Sequence, residues 1–155
     1  MPQIERIKAD LKTMNANSDS TPKKYDGKHA DLTDAIIAIF YEVYNELGSG
    51  FLESIYHHAM RIALEQKGMQ VVIEVPVPVF FRNQKVGDFR ADLVVNNLVL
   101  LELKALQNLE KIHEQQITHY LKATPLEVGL LLNFGPQPQV RRSIFDNKLK
   151  SHKIP

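Results

Sequence analysis

The chain has 155 residues, one ordinary domain's worth, so a large multidomain machine is excluded while a real hydrophobic core is allowed. Lys and Arg number 19 against 18 Asp and Glu, a net charge of +1, so any contact with nucleic acid must be local rather than the work of a global basic field. Hydrophobic residues make up 44% and charged ones 24%, the balance of a soluble globular protein, and the absence of cysteine removes disulfides, thiolate zinc sites and cysteine nucleophiles together. The N-terminus carries Glu5 and Asp10 with no apolar secretory stretch, and no run nears the roughly 18 apolar residues of a membrane helix. The expectation is a cytoplasmic protein with no membrane partner.

Residues 1–30 read as a polar extension, turn-rich from Asn15 to Pro22, with Ile4, Ile7 and Leu11 hinting at a short amphipathic helix. From Asp31, Leu32, Ala35, Ile36, Ile39, Phe40, Val43, Tyr44 and Leu47 recur at helical spacing until Gly48 supplies a stop. A second helix is expected from Phe51 to Lys67 on a stripe of Leu52, Ile55, Tyr56, Ala59, Met60 and Ala63, with Gly68 as a left-handed cap. Three β-branched runs follow, Val71–Phe81, Val86–Val95 and Leu98–Lys104, separated by residues 82–85 and by Asn96-Asn97, and together they predict an antiparallel meander. Pro76 and Pro78 lack amide donors, which pushes the first strand to a sheet edge. Leu98 to Leu106 is almost continuously apolar, as a central strand covered on both faces would be. A third helix over Glu110–Ala123 and a buried strand over Val128–Phe134 complete the order α-α-β-β-β-α-β, and residues 139–145 add a last short strand. The domain therefore spans residues 31–146. Beyond it, residues 147–155 form a basic tail; with Arg141 and Arg142 before them, Lys148, Lys150 and Lys153 face only Asp146.

Glu102 and Lys104 stand two residues apart in the most apolar strand, so both project from one face while Leu101 and Leu103 project from the other. Taking a carboxylate out of water costs several kcal/mol unless a partner compensates. One reading is an ion pair that satisfies itself; the other is chemistry. Asp92, on the preceding strand, lies directly opposite Glu102 in a hairpin centred on Asn97, provided the loop holds an odd number of residues. The expectation is a three-residue or longer odd loop rather than a two-residue Asn96-Asn97 turn, which would split the two carboxylates. Converging carboxylates favour a divalent cation. Glu53 opens the second helix, either as first-turn electrostatics or as a third carboxylate, with Tyr56 and His57 on its face. Gln116 and Tyr120 share a face of the third helix. His57 and His58 read as surface residues, and Phe80-Phe81 as a core-facing pair in preference to a stacking platform for bases.

Gly50-Phe51-Leu52-Glu53-Ser54-Ile55-Tyr56 resembles the signature of the GxxExxY protein family, a branch of the PD-(D/E)xK nuclease superfamily. Arg90-Ala91-Asp92 is similar to the family's acidic strand motif, with Ala91 where Pro is usual. Glu102-Leu103-Lys104 is similar to its ExK element, and His113 to Gln116 with Tyr120 to Lys122 to its helix motif with QxxxY spacing. These motifs cover about residues 31–145. The resemblance implies an α/β (α+β) restriction-endonuclease-like core, a mixed central sheet flanked by helices. It implies phosphodiester hydrolysis dependent on Mg²⁺ or Mn²⁺, with Asp92, Glu102, the Leu103 main-chain carbonyl and Glu53 as ligands. Lys104 would then position the attacking water or stabilise the transition state, and Gln116 and Tyr120 would orient the site. Arg90, on the face of Asp92 by strand parity, is a candidate phosphate clamp, and Arg141 and Arg142 are candidate backbone contacts. The implied partner is nucleic acid, DNA ahead of RNA, with a homodimer as an expectation of the superfamily. The rival is a nuclease-like module that binds without cutting. A zinc peptidase is dismissed because His113-Glu114 is followed by Ile117 where HExxH needs His, and His119 falls on another helical face.

Overall fold

The computed structural model describes residues 27–150. Ile36, Ile39, Phe40 and Val43 bury one face of helix α1 (Ala30–Leu47), and Gly48, at φ 68°, ends it by returning its N–H to the Tyr44 carbonyl. Helix α2 (Glu53–Gln66) begins two residues later than expected, because Leu52 is extended and serves as its cap. Its buried stripe is Tyr56, Met60 and Leu64; Leu52, at 75% exposed, and Ile55 lie outside it. The Tyr56 ring fixes that rotation by stacking on Phe134 at 4.1 Å.

The sheet runs β1 (Val71–Phe81), β2 (Gln84–Val95), β3 (Val99–Lys104), β4 (Val128–Phe134), β5 (Pro138–Ile144) in that spatial order. All neighbours are antiparallel except β3 and β4, which are parallel and joined through helix α3 (Lys111–Lys122). This is the expected α+β architecture, a mixed sheet between helices. β1 is an edge strand, as its prolines require, and β4 is buried throughout. Arg82 and Asn83 both take positive φ in a two-residue turn, so β1 and β2 extend further than residues 82–85 as a loop would allow. Residues 96–98 form the β2–β3 loop and Leu93 pairs with Leu101, so the loop is odd, as the carboxylate argument demands. Leu98 belongs to that loop and not to the strand.

Two cores flank the sheet. Leu93, Leu101, Leu103, Leu130 and Leu132 meet α1 and α2, while Leu100 and Leu131 meet Ile117 and Leu121 of α3. The inner ends of both outlying segments dock on the domain: Lys28 pairs with Glu127 and Asp146, and the Lys150 ammonium donates to the Thr124 and Leu126 carbonyls at 2.6 and 2.9 Å. The hydrophobic segment from Ile4 to Leu11 and Lys153 lie outside the described residues. Among the described residues no helix is long and apolar enough to cross a membrane.

Candidate active site

The site begins where the β1–β2 ribbon turns over. Ile73 pairs with Leu93, and both join the core under α1 and α2; Val75 pairs with Ala91, and both join the core under α3. In a regular strand residues two apart share a face, so the ribbon twists by half a turn between these pairs. The residues at the twist are Glu74, at φ 51°, and Asp92. β2 and β3 pair only over residues 93–95 and 99–101 and then separate. Into the gap goes the Asp92 carboxylate, whose Oδ2 accepts the Leu103 N–H at 2.7 Å in place of a strand partner. A residue's N–H and C=O point to the same side of a strand, so the Leu103 carbonyl faces this gap too.

Glu102 is 8% exposed, and its Oε1 is buried without a hydrogen-bond partner. Burial, followed by the negative charge of Asp92, pushes its carboxyl up to about 8, with Lys104 partly offsetting them. A metal-free site at neutral pH thus keeps a proton on Glu102. His57, one turn into α2, brings Nε2 to 3.5 Å from Asp92 Oδ2; that nitrogen is likewise buried and lacks a hydrogen bond. Two unpartnered buried polar atoms near the Asp92 carboxylate fit a cation-binding site, since each is costly left alone. The donor set is hard oxygen plus one imidazole nitrogen, which suits a divalent metal ion. Among the described residues no three His, Asp or Glu side chains are spaced to hold an ion unaided, so the main-chain carbonyl and outer ligands would have to contribute.

α3 supplies the opposite wall. Gln116 donates through Nε2 to the Tyr120 hydroxyl at 2.7 Å, the i, i+4 contact expected of that face. Burial, then the charge of Glu102, raises the Tyr120 hydroxyl above its ordinary value, which places it beside the carboxylates as a neutral phenol. Its ring stacks on Phe89 at 3.8 Å and 10°, tying α3 to the far half of the ribbon. Lys104 and Gln116 share a cleft of about 540 Å³ with Ile112, His113, Gln115 and His119.

A family model for the PD-(D/E)XK nuclease superfamily matches residues 30–143, almost the whole folded part. The chain belongs to that superfamily. The solved structure described as "Crystal structure of SSO0001" is similar at 16% identity, covering 94% of this chain and 80% of that chain with a TM-score of 0.47. No curated protein matches.

Within this PD-(D/E)XK domain the fold brings together Asp92, Glu102, the Leu103 backbone, Lys104, Gln116 and Tyr120. The remaining sequence candidates are exposed or paired with other side-chain and main-chain groups. Glu53 is exposed in the first turn of α2. Arg90 is 71% exposed and faces Glu74 at 3.8 Å, because the twist at residues 74 and 92 breaks the parity that would align it with Asp92. Arg141 pairs with Glu114 at 3.2 Å. Arg142 donates to the Lys28 carbonyl at 2.7 Å and to Thr33 Oγ1, holding the start of α1 against β5. Phe80 and Phe81 are exposed at the ribbon tip and not core-facing, with the Arg82 guanidinium 5.0 Å from the Phe81 ring. His57 is the residue sequence reasoning misassigned to the surface; its place four residues after Glu53 was the available signal. The Gly50–Tyr56 segment has a structural logic of its own. Gly50 takes φ 107°, and the buried Tyr56 donates its hydroxyl to the Gly48 carbonyl at 2.6 Å while accepting the Phe51 N–H.

Proposed function

We propose that the protein is a divalent-metal-dependent nuclease of the GxxExxY branch that hydrolyses phosphodiester bonds, DNA ahead of RNA, in the cytoplasm. The observation that carries the reading is Glu102: a buried carboxyl with an unpartnered oxygen, set against Asp92 at the point where two strands part. A resting protein gains nothing from that arrangement, since a neighbouring carboxylate raises the cost of the charge. Asp92, Glu102, the Leu103 carbonyl and His57 would hold Mg²⁺ or Mn²⁺, with Glu53 one turn before His57 as an outer carboxylate. The ion, when bound, supplies charge neutralisation at the phosphate and acidifies a water for attack.

The protein's own groups then divide the remaining work. The Leu103 N–H fixes the Asp92 carboxylate, so its orientation does not depend on the ion. Lys104 lines the cleft and lies near enough to Glu102 to offset part of its shift, and it would orient the nucleophile or meet the negative charge that grows on the phosphoryl oxygens. Tyr120, kept neutral, and Gln116 offer hydrogen-bond donors along the wall formed by α3. Arg90 and Arg141, both exposed, remain candidates for contacts to the phosphate backbone on release from Glu74 and Glu114. A second copy of the chain would supply the second cut of a duplex.

The test is cleavage of linear and circular DNA, single-stranded DNA and RNA with Mg²⁺, Mn²⁺ or EDTA. Metal-dependent cleavage that disappears in Asp92→Ala and Glu102→Ala is the expected result. Cleavage that persists in EDTA, or in both variants, would refute the reading.

A further inference from the structure

We infer that Asn133 and Gln139 are positioning residues that clamp the strap joining Lys104 to α3. This rests on the nuclease reading above, which makes Lys104 and Gln116 parts of one site. β3 ends at Lys104, which stands in parallel register with Asn133 of β4. Beyond that pair the ladder stops, and the chain must still cross residues 105–110 before α3 begins. Asn133 is fully buried and takes over the ladder's role: its Oδ1 accepts the Leu106 N–H at 2.8 Å and its Nδ2 donates to the Leu106 carbonyl at 2.9 Å. The side chain thus imitates a strand neighbour, satisfying both main-chain groups of one residue. Nδ2 also donates to Gln139 Oε1 at 3.0 Å, and the same oxygen accepts the Leu109 N–H at 3.0 Å. Both polar atoms of the buried Asn133 side chain thus have complementary partners, the condition under which such a network rigidifies its surroundings.

The other parts of the turn close the clamp. A Cβ on Gly135 would stand 2.0 Å from the Leu106 carbonyl oxygen, so only glycine lets β4 approach the strap this closely. The Tyr44 hydroxyl donates to the Gly135 carbonyl at 2.7 Å and so fixes the turn from the α1 side. Leu106 is two residues past Lys104, and Leu109 directly precedes Glu110, which caps α3. The clamp therefore sets two quantities at once: where the Lys104 backbone ends and where the Gln116 and Tyr120 face of α3 begins. Displacements near 1 Å at a reacting centre are enough to cost on the order of a hundredfold in rate.

The experiment compares Asn133→Ala and Gln139→Leu with the wild type. It follows amide hydrogen exchange at Leu106 and Leu109, metal-free NMR resonances of Lys104 and Gln116, Mn²⁺ affinity by calorimetry, and cleavage kinetics. Gln139 is only half-buried, so its variant keeps the test open where Asn133→Ala fails to fold. Expected are faster exchange at Leu109 in both variants, shifted Lys104 and Gln116 resonances, and kcat lower by at least about tenfold, with KM and the Mn²⁺ Kd within about threefold. Faster exchange with unmoved Lys104 and Gln116 resonances and wild-type kcat would overturn the inference. So would a Gln139→Leu chain that unfolds, or one that loses metal affinity in step with kcat, since the pair would then be holding the fold at large. Should the wild type cut no substrate, the nuclease reading fails by itself. The clamp is then decided by the resonances alone: displaced they uphold it, unmoved they overturn it.

Discussion

Replacing Glu102 by Gln removes one ionisation and nearly nothing else, and the consequence for stability can be worked from its position. The carboxyl titrates near 4.5 in an unfolded chain and is pushed up to about 8 in the fold, chiefly by burial and then by Asp92. Between those values the folded chain holds a proton that the unfolded chain has released. Stability therefore falls as pH rises through that window and is fully present only below the unfolded value. At about 1.4 kcal/mol per tenfold, the whole effect amounts to about 5 kcal/mol, of which about 4 kcal/mol falls between pH 5 and pH 8.5. That is a large share of a typical domain's stability of about 5–15 kcal/mol. Glu102→Gln keeps the neutral side chain's shape at every pH. In EDTA, urea unfolding at pH 5, 7 and 8.5 should show the variant gaining on the wild type by about 4 kcal/mol across the range. Saturating Mn²⁺ should flatten the wild-type slope and leave the variant unaffected. Parallel stability curves for the two proteins in EDTA would refute the argument, because they would mean that Glu102 carries no excess proton in the folded state.

Lys104→Ala should abolish cleavage while Mn²⁺ still binds, which calorimetry and a cleavage assay on one preparation separate; a lost Mn²⁺ signal would make the lysine part of the metal centre's integrity instead. Gly135→Ala should destabilise the fold by about 3 kcal/mol or more, since its Cβ meets main chain that has nowhere to go, and a melting curve within a degree of wild type would contradict that contact. Arg142→Ala should lower stability by about 1–3 kcal/mol through the bonds to Lys28 and Thr33 and leave nucleic-acid affinity unchanged in a fluorescence-anisotropy titration. Phe81→Ser should change stability by less than about 0.5 kcal/mol in chemical denaturation, as its ring is 55% exposed.

The parts of the site legible from sequence were those governed by local rules. Charges at i and i+2 of an apolar strand point to Glu102 and Lys104, and the odd loop required to bring Asp92 to the side of Glu102 is the one the structure holds, with Leu93 opposite Leu101. Gln116 and Tyr120 followed from helical spacing. The misreadings arose where a local rule was interrupted by tertiary structure. Parity along β2 holds only for an untwisted strand, and the half-turn at Glu74 and Asp92 sent Arg90 outward. The face of α2 is read correctly at Tyr56, Ala59, Met60 and Ala63 but extended to the exposed Leu52 and Ile55 because both are apolar, whereas the ring of Tyr56 against Phe134 sets its rotation. His57 is missed because its burial depends on where β2 delivers Asp92, 35 positions further along the chain and outside α2's own pattern. Arg142 read as a basic tail residue because its partners, Lys28 and Thr33, lie over 100 positions away in the chain.

The central claim is that Asp92 and Glu102 converge in order to hold a divalent ion. Calorimetric titration of Mn²⁺ into the wild type and into Glu102→Ala, at pH 7.5 in the absence of nucleic acid, tests it most directly. The account predicts saturable binding by the wild type, with protons released as Glu102 ionises, and no binding by the variant. Equal heats from both proteins, or none from either, would contradict it.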